Sequence, residues 1–256
     1  MLVKVKEATD SFLWYHGLMI EIEPNEIQIW SANLDISESE VDKYFTLLSP
    51  DECDRANRYH FDIHKQRFIA ARSMLRTLIS LYTNTAPQEI IFSYDSNKKP
   101  FLQFPDFQPL QFNLSHSQDI AIYAFTLNHA IGVDIEKVKD HFNDDVAKRY
   151  FSSEENLALS SLPPEERLKS FYRIWARKEA IIKAVGKGLT IPLASFSVST
   201  NDDAETIMLE NESWSLLPLS MHSGYESAVA TNQTVKKLSL WKLIEQKPNR
   251  YNNQAM

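Results

Sequence analysis

The sequence predicts an α+β chain built from two similar halves related by a pseudo-two-fold, with a cleft between them. Three observations point there. Strand-like and helix-like stretches alternate along the chain. Its 256 residues, 43% of them hydrophobic, suffice for two modest cores or one large one. A faint internal echo also recurs at a spacing of 103 residues, placing "LSPDE" (48–52) on "FSSEE" (151–155), Phe68 on Phe171, and Leu78-Ile79 on Ile181-Ile182. The echo implies a capped acidic helix start in each half, then a Phe opening the apolar face of a longer helix. The expected division is residues 1–128, 129–245 and a flexible tail at 246–256. The seam between two such halves is a natural place for a ligand.

The elements follow in order. "EIQIWSANLD" (26–35) alternates as a strand, and 44–83 reads as mostly helical, with Ser49 and Pro50 as a start signal. "EIIFSYDSNKKPFLQF" gives strand, turn, strand. "LQFNLSHSQDIAIYAFTLNHAIGVDIEKV" is strand-rich, with a turn at Leu127 to Ala130. A helical stretch from Asp144, a break at Pro163-Pro164 and a long helix over 165–185 come next. Strands are expected near 191–199, 213–217 and 225–230, and the end, "QKPNRYNNQAM", reads as a frayed tail.

Composition excludes several classes. Cys53 is the single cysteine, so neither an internal disulfide nor a Cys-based metal cluster is expected, and a reducing cytoplasmic setting is. No run approaches the ~20 apolar residues of a membrane helix. A net charge of −7 opposes general nucleic-acid binding. Within 52–76, however, Arg55, Arg58, Lys65, Arg67, Arg72 and Arg76 face only Glu52, Asp54 and Asp62. This positive island is either an anion site or a solvated helix face.

The chemistry concentrates in two segments. In "IGVDIEKV" (131–138), Asp134 and Glu136 share one strand face, which is costly unless a cation neutralises them; the plainer reading is a solvent edge with Val133 and Ile135 inward. In "FYRIWARKEAIIKAVGKGL" (171–189), Trp175, Glu179 and Lys183 form one helical stripe. The simplest account is an i,i+4 ion pair worth roughly 0.3–0.5 kcal/mol. Phe171, Ile174, Ile181 and Ile182 set an apolar stripe nearby, so an inward Glu and Lys would need partners, met by a hard cation and a phosphate. The glycines around Lys187 lack the spacing of a phosphate-cradling loop and read as a helix stop. His60 and His64 lack the intervening Glu of a zinc protease and read as surface residues.

"IGVDIEKV" followed some forty residues later by "WARKEAIIKAVGKGL" resembles the 4′-phosphopantetheinyl transferases of the larger, two-subdomain type. "NKKPFL" (97–102) is similar to that family's Gly-Lys-Pro segment and "FNLSHS" (112–117) to its Asn-x-Ser-His-Ser segment. The resemblance implies transfer of the phosphopantetheine arm of coenzyme A to a serine of an acyl or peptidyl carrier protein, releasing adenosine 3′,5′-bisphosphate. Such enzymes activate non-ribosomal peptide, polyketide and related synthases. It further implies Mg²⁺ held by Asp134, Glu136 and Glu179, with Lys183 on a phosphate oxygen and Glu179, directly or through a water, as base for the carrier serine. Arg55 and His116 would meet the 3′-phosphate, Lys99 and Pro100 the adenine, and Ser115 a phosphate. Two positions depart from the pattern: Lys98 stands where the family has glycine, and Glu52 where it has a basic residue. A monomer is expected, since one chain builds the cleft. A metal-dependent phosphohydrolase and a non-catalytic coenzyme A-binding protein are the other classes these carboxylates would serve.

Overall fold

The computed structural model describes residues 19–103, 110–244 and 247–250. Its first half runs β1 (Glu26–Asn33), α1 (Glu38–Phe45), α2 (Pro50–Asn57), α3 (Asp62–Thr83), a short hairpin β2 (Phe92–Tyr94) and β3 (Pro100–Leu102), then β4 (Leu110–Ser117) and β5 (Ile120–Leu127). The second half repeats the order with one strand fewer after its long helix: β6 (Ile131–Lys137), α4 (Asp144–Tyr150), α5 (Ser153–Ser161), α6 (Pro164–Val185), then β7 (Glu205–Leu209), β8 (Glu212–Pro218) and β9 (Tyr225–Thr231). Strands β10 (Lys237–Ile244) and β11 (Lys247–Arg250) complete it.

The echo in the sequence is therefore a structural repeat. Shifted by 103 residues, Pro50 at the start of α2 falls on Ser153 at the start of α5, and α3 and α6, both 22 residues long, start one residue apart. In each half the leading strand pairs antiparallel with the second strand of a later hairpin: β1 with β5, β6 with β9. The sheets are ordered β11-β10-β1-β5-β4 and β6-β9-β8-β7. One crossover breaks the repeat, because β10 leaves the second half and lies parallel to β1 in the first sheet.

Local chemistry accounts for the helices. Ser49 and Ser152 cap α2 and α5, and in each capping box the glutamate at the third position, Glu52 or Glu155, reaches back to the cap backbone. Both glutamates are then buried against the long helix of their half. Arg72 and Arg76 donate to Glu52 at 2.7 and 2.6 Å, while Lys178 lies 2.8 Å from Glu155. Burial raises the Glu52 pKa, but the two guanidiniums outweigh it and hold the carboxyl below its ordinary range. Helix α6 begins with Pro164 at its first position and ends on Gly186 in the left-handed conformation.

Three apolar layers result. Helix α3 packs on the first sheet through Leu75, Leu78, Trp30 and Phe125, and α6 packs on the second through Ile174, Ile181, Leu216 and Ala230. Between the sheets lies a third core containing Ile27, Ile29, Ile122, Val133, Ile135 and Val229. Strand β6 is thus buried on both faces: Val133 and Ile135 enter the inter-sheet core, and Gly132, Asp134 and Glu136 share the opposite face. Gly132 meets α6 directly. A Cβ there would stand 2.2 Å from both the Ala180 carbonyl oxygen and the Ala184 nitrogen.

Two expectations change. No strand forms over 191–199, where the chain takes a short 3₁₀ turn at Leu193–Ser195, following another at Gly188–Thr190. Its backbone groups are claimed by side chains instead: Lys178 donates to the Leu193 and Phe196 carbonyls, and Glu155 accepts from the Val198 N–H. Lys247–Arg250, within the stretch expected to fray, forms β11 on the edge of the first sheet; 251–256 and the expected start of the chain at 1–18 lie outside the described residues.

Gly132→Ala should force α6 off β6 and cost about 3 kcal/mol or more in urea unfolding, at the upper end of what overpacking does. Gly188→Ala meets nothing within 4 Å and carries only the strain of φ +58, so it should cost roughly 1 kcal/mol. Equal losses at the two positions would refute the close-approach reading.

Candidate active site

Where the two halves meet, β4 and β6 run side by side without a backbone ladder, and β4 side chains make the join. Asn113 Oδ1 accepts from the Val133 N–H at 2.9 Å. Two residues on, Ser115 Oγ donates to Asp134 Oδ1 at 2.7 Å. Two further, Ser117 Oγ donates to Glu136 Oε2 at 3.2 Å and accepts from the Lys137 N–H at 3.1 Å. The period of two along "NLSHS" puts Asn113, Ser115 and Ser117 on one face, so the strand acts as a row of polar teeth.

Helix α6 closes the site from the other side. Lys183 Nζ donates to Asp134 Oδ1 at 2.6 Å, Ser115 Oγ at 2.9 Å and the Val133 carbonyl at 3.3 Å. Asp134 is only 3% exposed, and its second oxygen, Oδ2, is buried without a hydrogen-bond partner among the described residues. Burial, then the Asp134 charge, pushes Glu136 up to about 7, and the same two causes raise Glu179 above its ordinary value.

The outcome for the expected metal set is mixed. Among the described residues no three His, Cys, Asp or Glu side chains stand as a ready ligand group, and Asp134 is turned to Lys183 and Ser115. Yet an orphaned carboxylate oxygen beside two carboxyls that resist ionisation fits a divalent cation, which would relieve all three. Asp134, Glu136 and Glu179 are the residues that would hold it.

Beyond Lys183 a cavity of about 240 Å³ opens, lined by Lys99, Pro100, Asn113, Glu179, Lys183 and Gly186 among others. Its far wall is the β2–β3 turn. Lys98 adopts φ +65, the left-handed conformation a glycine would take freely, so the departure from Gly-Lys-Pro keeps the turn at a cost in strain. Asp95 Oδ1 accepts from the Asn97 and Lys99 N–H groups, and Asn97 Nδ2 donates to the Gly186 carbonyl at 2.7 Å. Lys99 Nζ donates to the Lys183 carbonyl at 2.7 Å and the Ile131 carbonyl at 3.1 Å, tying the turn to both α6 and β6. Burial, opposed by Asp95, lowers Lys99 to about 8.

The positive island resolves into separate parts. Glu52 consumes Arg72 and Arg76, and Asp35 takes Arg67 at 2.8 Å. Glu52 is therefore a framework residue. Arg55 is exposed, its guanidinium 5.0 Å from the centre of the Phe68 ring. His60 and His64 are exposed and pack against Phe61, the surface role expected of them. His116 is exposed as a residue, but crowding by the protein and the Lys183 and Arg67 cations hold its pKa below the ordinary value. Asn113, Ser117 and Asn97 were not singled out from the sequence. The alternation of polar residues in "NLSHS" was the signal for the first two.

Comparison with known proteins points to one family along most of the chain. A family model described as 4′-phosphopantetheinyl transferase superfamily matches residues 130–231, and one described as 4′-phosphopantetheinyl transferase, N-terminal matches residues 32–128. The chain is 36% identical over 209 residues to the 4′-phosphopantetheinyl transferase HetI of Nostoc sp., covering 80% of this chain and 87% of that protein. It is 34% identical over 170 residues to the 4′-phosphopantetheinyl transferase Sfp of Bacillus subtilis, covering 66% and 74%. With the 4′-phosphopantetheinyl transferase gsp of Aneurinibacillus migulanus the identity is 29% over 180 residues, covering 69% and 73%.

Lys99 sets a pH dependence. Its ammonium titrates near 8 in the folded chain against 10.5 when unperturbed, so between those values the unfolded chain binds more protons and folding gains as pH rises. The stability of the wild type relative to Lys99→Met should be flat below about pH 8 and grow from there towards pH 10.5, read by chemical denaturation at stepped pH. A difference that shrinks across that window would contradict the buried-ammonium assignment.

Proposed function

The chain belongs to the 4′-phosphopantetheinyl transferase superfamily, and from this premise we propose that it moves the 4′-phosphopantetheine arm of coenzyme A onto a serine of an acyl or peptidyl carrier protein, with Mg²⁺, releasing adenosine 3′,5′-bisphosphate. The observation that carries the reading is the meeting of Asp134 and Lys183 across the β6–α6 contact, at the mouth of a cavity walled by Lys99 and Pro100.

In this reading the adenine lies against Lys99 and Pro100, and Arg55 and His116 take the 3′-phosphate. His116, held below its ordinary pKa, would gain a proton as the phosphate arrives. The diphosphate then sits between Lys183 and the carboxylates. Asp134, Glu136 and Glu179 would hold the Mg²⁺, which would neutralise diphosphate charge. The carrier serine oxygen attacks the phosphorus on the pantetheine side. The bond from that phosphorus to the bridging oxygen breaks, and adenosine 3′,5′-bisphosphate leaves with the electron pair. Lys183 donates to a phosphate oxygen and stabilises that developing charge. The serine proton passes to Glu179, directly or through a water. Ser115, freed from Lys183, offers a further contact to phosphate.

No helix among the described residues is long and apolar enough to cross a membrane. We place the reaction in the cytoplasm and assign the site to a single chain, because residues 1–128 and 129–245 each supply one wall of it. Synthases of non-ribosomal peptides, polyketides or fatty acids carry partners of the required kind.

Incubated with coenzyme A, Mg²⁺ and a panel of apo acyl and peptidyl carriers, the protein should add one phosphopantetheine mass to at least one of them. Asp134→Ala and Lys183→Ala should each lower the rate roughly 10²–10³-fold, the scale seen when one charge-stabilising group is removed. No mass gain across the panel would defeat the proposal. Free phosphopantetheine formed without carrier would instead indicate a phosphohydrolase, and unchanged coenzyme A binding by Asp134→Ala without turnover in the wild type would indicate a binding protein.

A further inference from the structure

The contacts of Lys183 give this lysine a second role. Its ammonium has three donors, and all three are taken: by Asp134 Oδ1, Ser115 Oγ and the Val133 carbonyl. Asp134 Oδ1 is in turn doubly claimed, by Lys183 and by the Ser115 hydroxyl. A cation approaching Asp134 therefore meets one of two obstacles. At Oδ1 it must displace donors already seated. At Oδ2, buried and without a hydrogen-bond partner among the described residues, it must stand beside an ammonium 2.6 Å from the same carboxylate. Like charges so close disfavour each other strongly where water is scarce.

The backbone of Lys183 cannot yield. Its carbonyl is gripped by Lys99 Nζ, and one residue on, Ala184 rests against Gly132. The side chain can. It is 29% exposed, against 5% for Asp134, and it also lines the cavity that holds Lys99 and Asn113. Its flexible stem allows the head to leave Asp134 for an anion placed in that cavity.

We infer that Lys183 is the resident counter-cation of Asp134, so that a divalent metal binds well only together with a diphosphate that draws Lys183 away. This inference rests on the transferase reading, and deepens it: metal and coenzyme A bind with positive coupling because both act on one ion pair. A protein holding metal alone is disfavoured, and Lys183 reaches the phosphate only once Asp134 has found another cation.

The test is Mn²⁺ affinity of the full chain, by electron paramagnetic resonance and without carrier. Without coenzyme A, Lys183→Met should bind Mn²⁺ roughly 5- to 100-fold more tightly than the wild type, the range of ordinary coupling energies. Lys183→Arg, which keeps the charge, should stay near the wild type. Coenzyme A, after subtraction of its own Mn²⁺ binding, should tighten Mn²⁺ on the wild type by a similar factor and on Lys183→Met by far less. Tightening should vanish when Asp134→Asn is combined with Lys183→Met. Should Lys183→Met not fold by circular dichroism, Lys183→Gln replaces it. A neutral variant that binds Mn²⁺ no better than the wild type, or gains as much from coenzyme A, overturns the inference. Failure here leaves carrier mass gain untouched, so it is distinguishable from failure of the transferase reading.

Discussion

Everything at the centre of this molecule depends on how closely α6 can lie on β6. Gly132 fixes that distance, because its missing Cβ is the space into which the Ala180 and Ala184 backbone fits. Once the helix is seated there, Lys183 lies within reach of Asp134, which a strand carrying any side chain at 132 would hold further off. Charge chemistry between the two elements is thus a consequence of backbone proximity. The contact also explains why the face of β6 opposite the inter-sheet core contains one glycine and two acids. Nothing larger fits at one end, and the other two positions serve the cleft.

The same engineering appears twice in the scaffold. Glu52 and Glu155 occupy equivalent places after a capping serine, and each is buried 2% or less exposed beneath the long helix of its half. Their partners differ: two arginines in the first half, a lysine in the second, the latter also holding two carbonyls of the chain that follows α6. Breaking such a buried pair typically costs about 3–5 kcal/mol, since it strands a charge. The first half spends Arg72 and Arg76 on Glu52 and Arg67 on Asp35, so three of the six cations over 52–76 are already paired. Specialisation of the second half shows in the strand facing α6, which places a buried Asp134 and a half-buried Glu136 at the cleft.

The repeat, the long helices α3 and α6 and the strand β6 were legible because each leaves a local signature: a capping serine, a period of 3.6, a period of two; α1 (Glu38–Phe45) lies ahead of the helical stretch expected over 44–83. Residues 191–199 misled for a physical reason. "IPLASFSVS" has strand-like alternation, but Pro192 lacks a donor and Lys178 and Glu155 bind the backbone groups a neighbouring strand would need. β10 was not foreseen, although Leu238 and Leu240 alternate with polar residues, because its partner lies some two hundred residues earlier. Among the teeth of β4, Asn113 and Ser117 carry no individual signal, and Ser115, expected at a phosphate, donates to Asp134. A serine donating sideways to another strand looks, in sequence, like any other serine, and only the lateral placement of β4 beside β6 gives Ser117 its carboxylate.

The parallel pairing of Glu26–Ala32 with Lys237–Leu243 has a consequence for how the chain is made. On a ribosome, β1 is made 211 residues before its partner Lys237–Leu243, so this edge of the first sheet stays open until everything between them has been synthesised. A nascent chain in that condition offers an unpaired strand edge to any other strand nearby. Closing that edge is a non-local step, and it ties β10, which follows the second half, back into the sheet of the first.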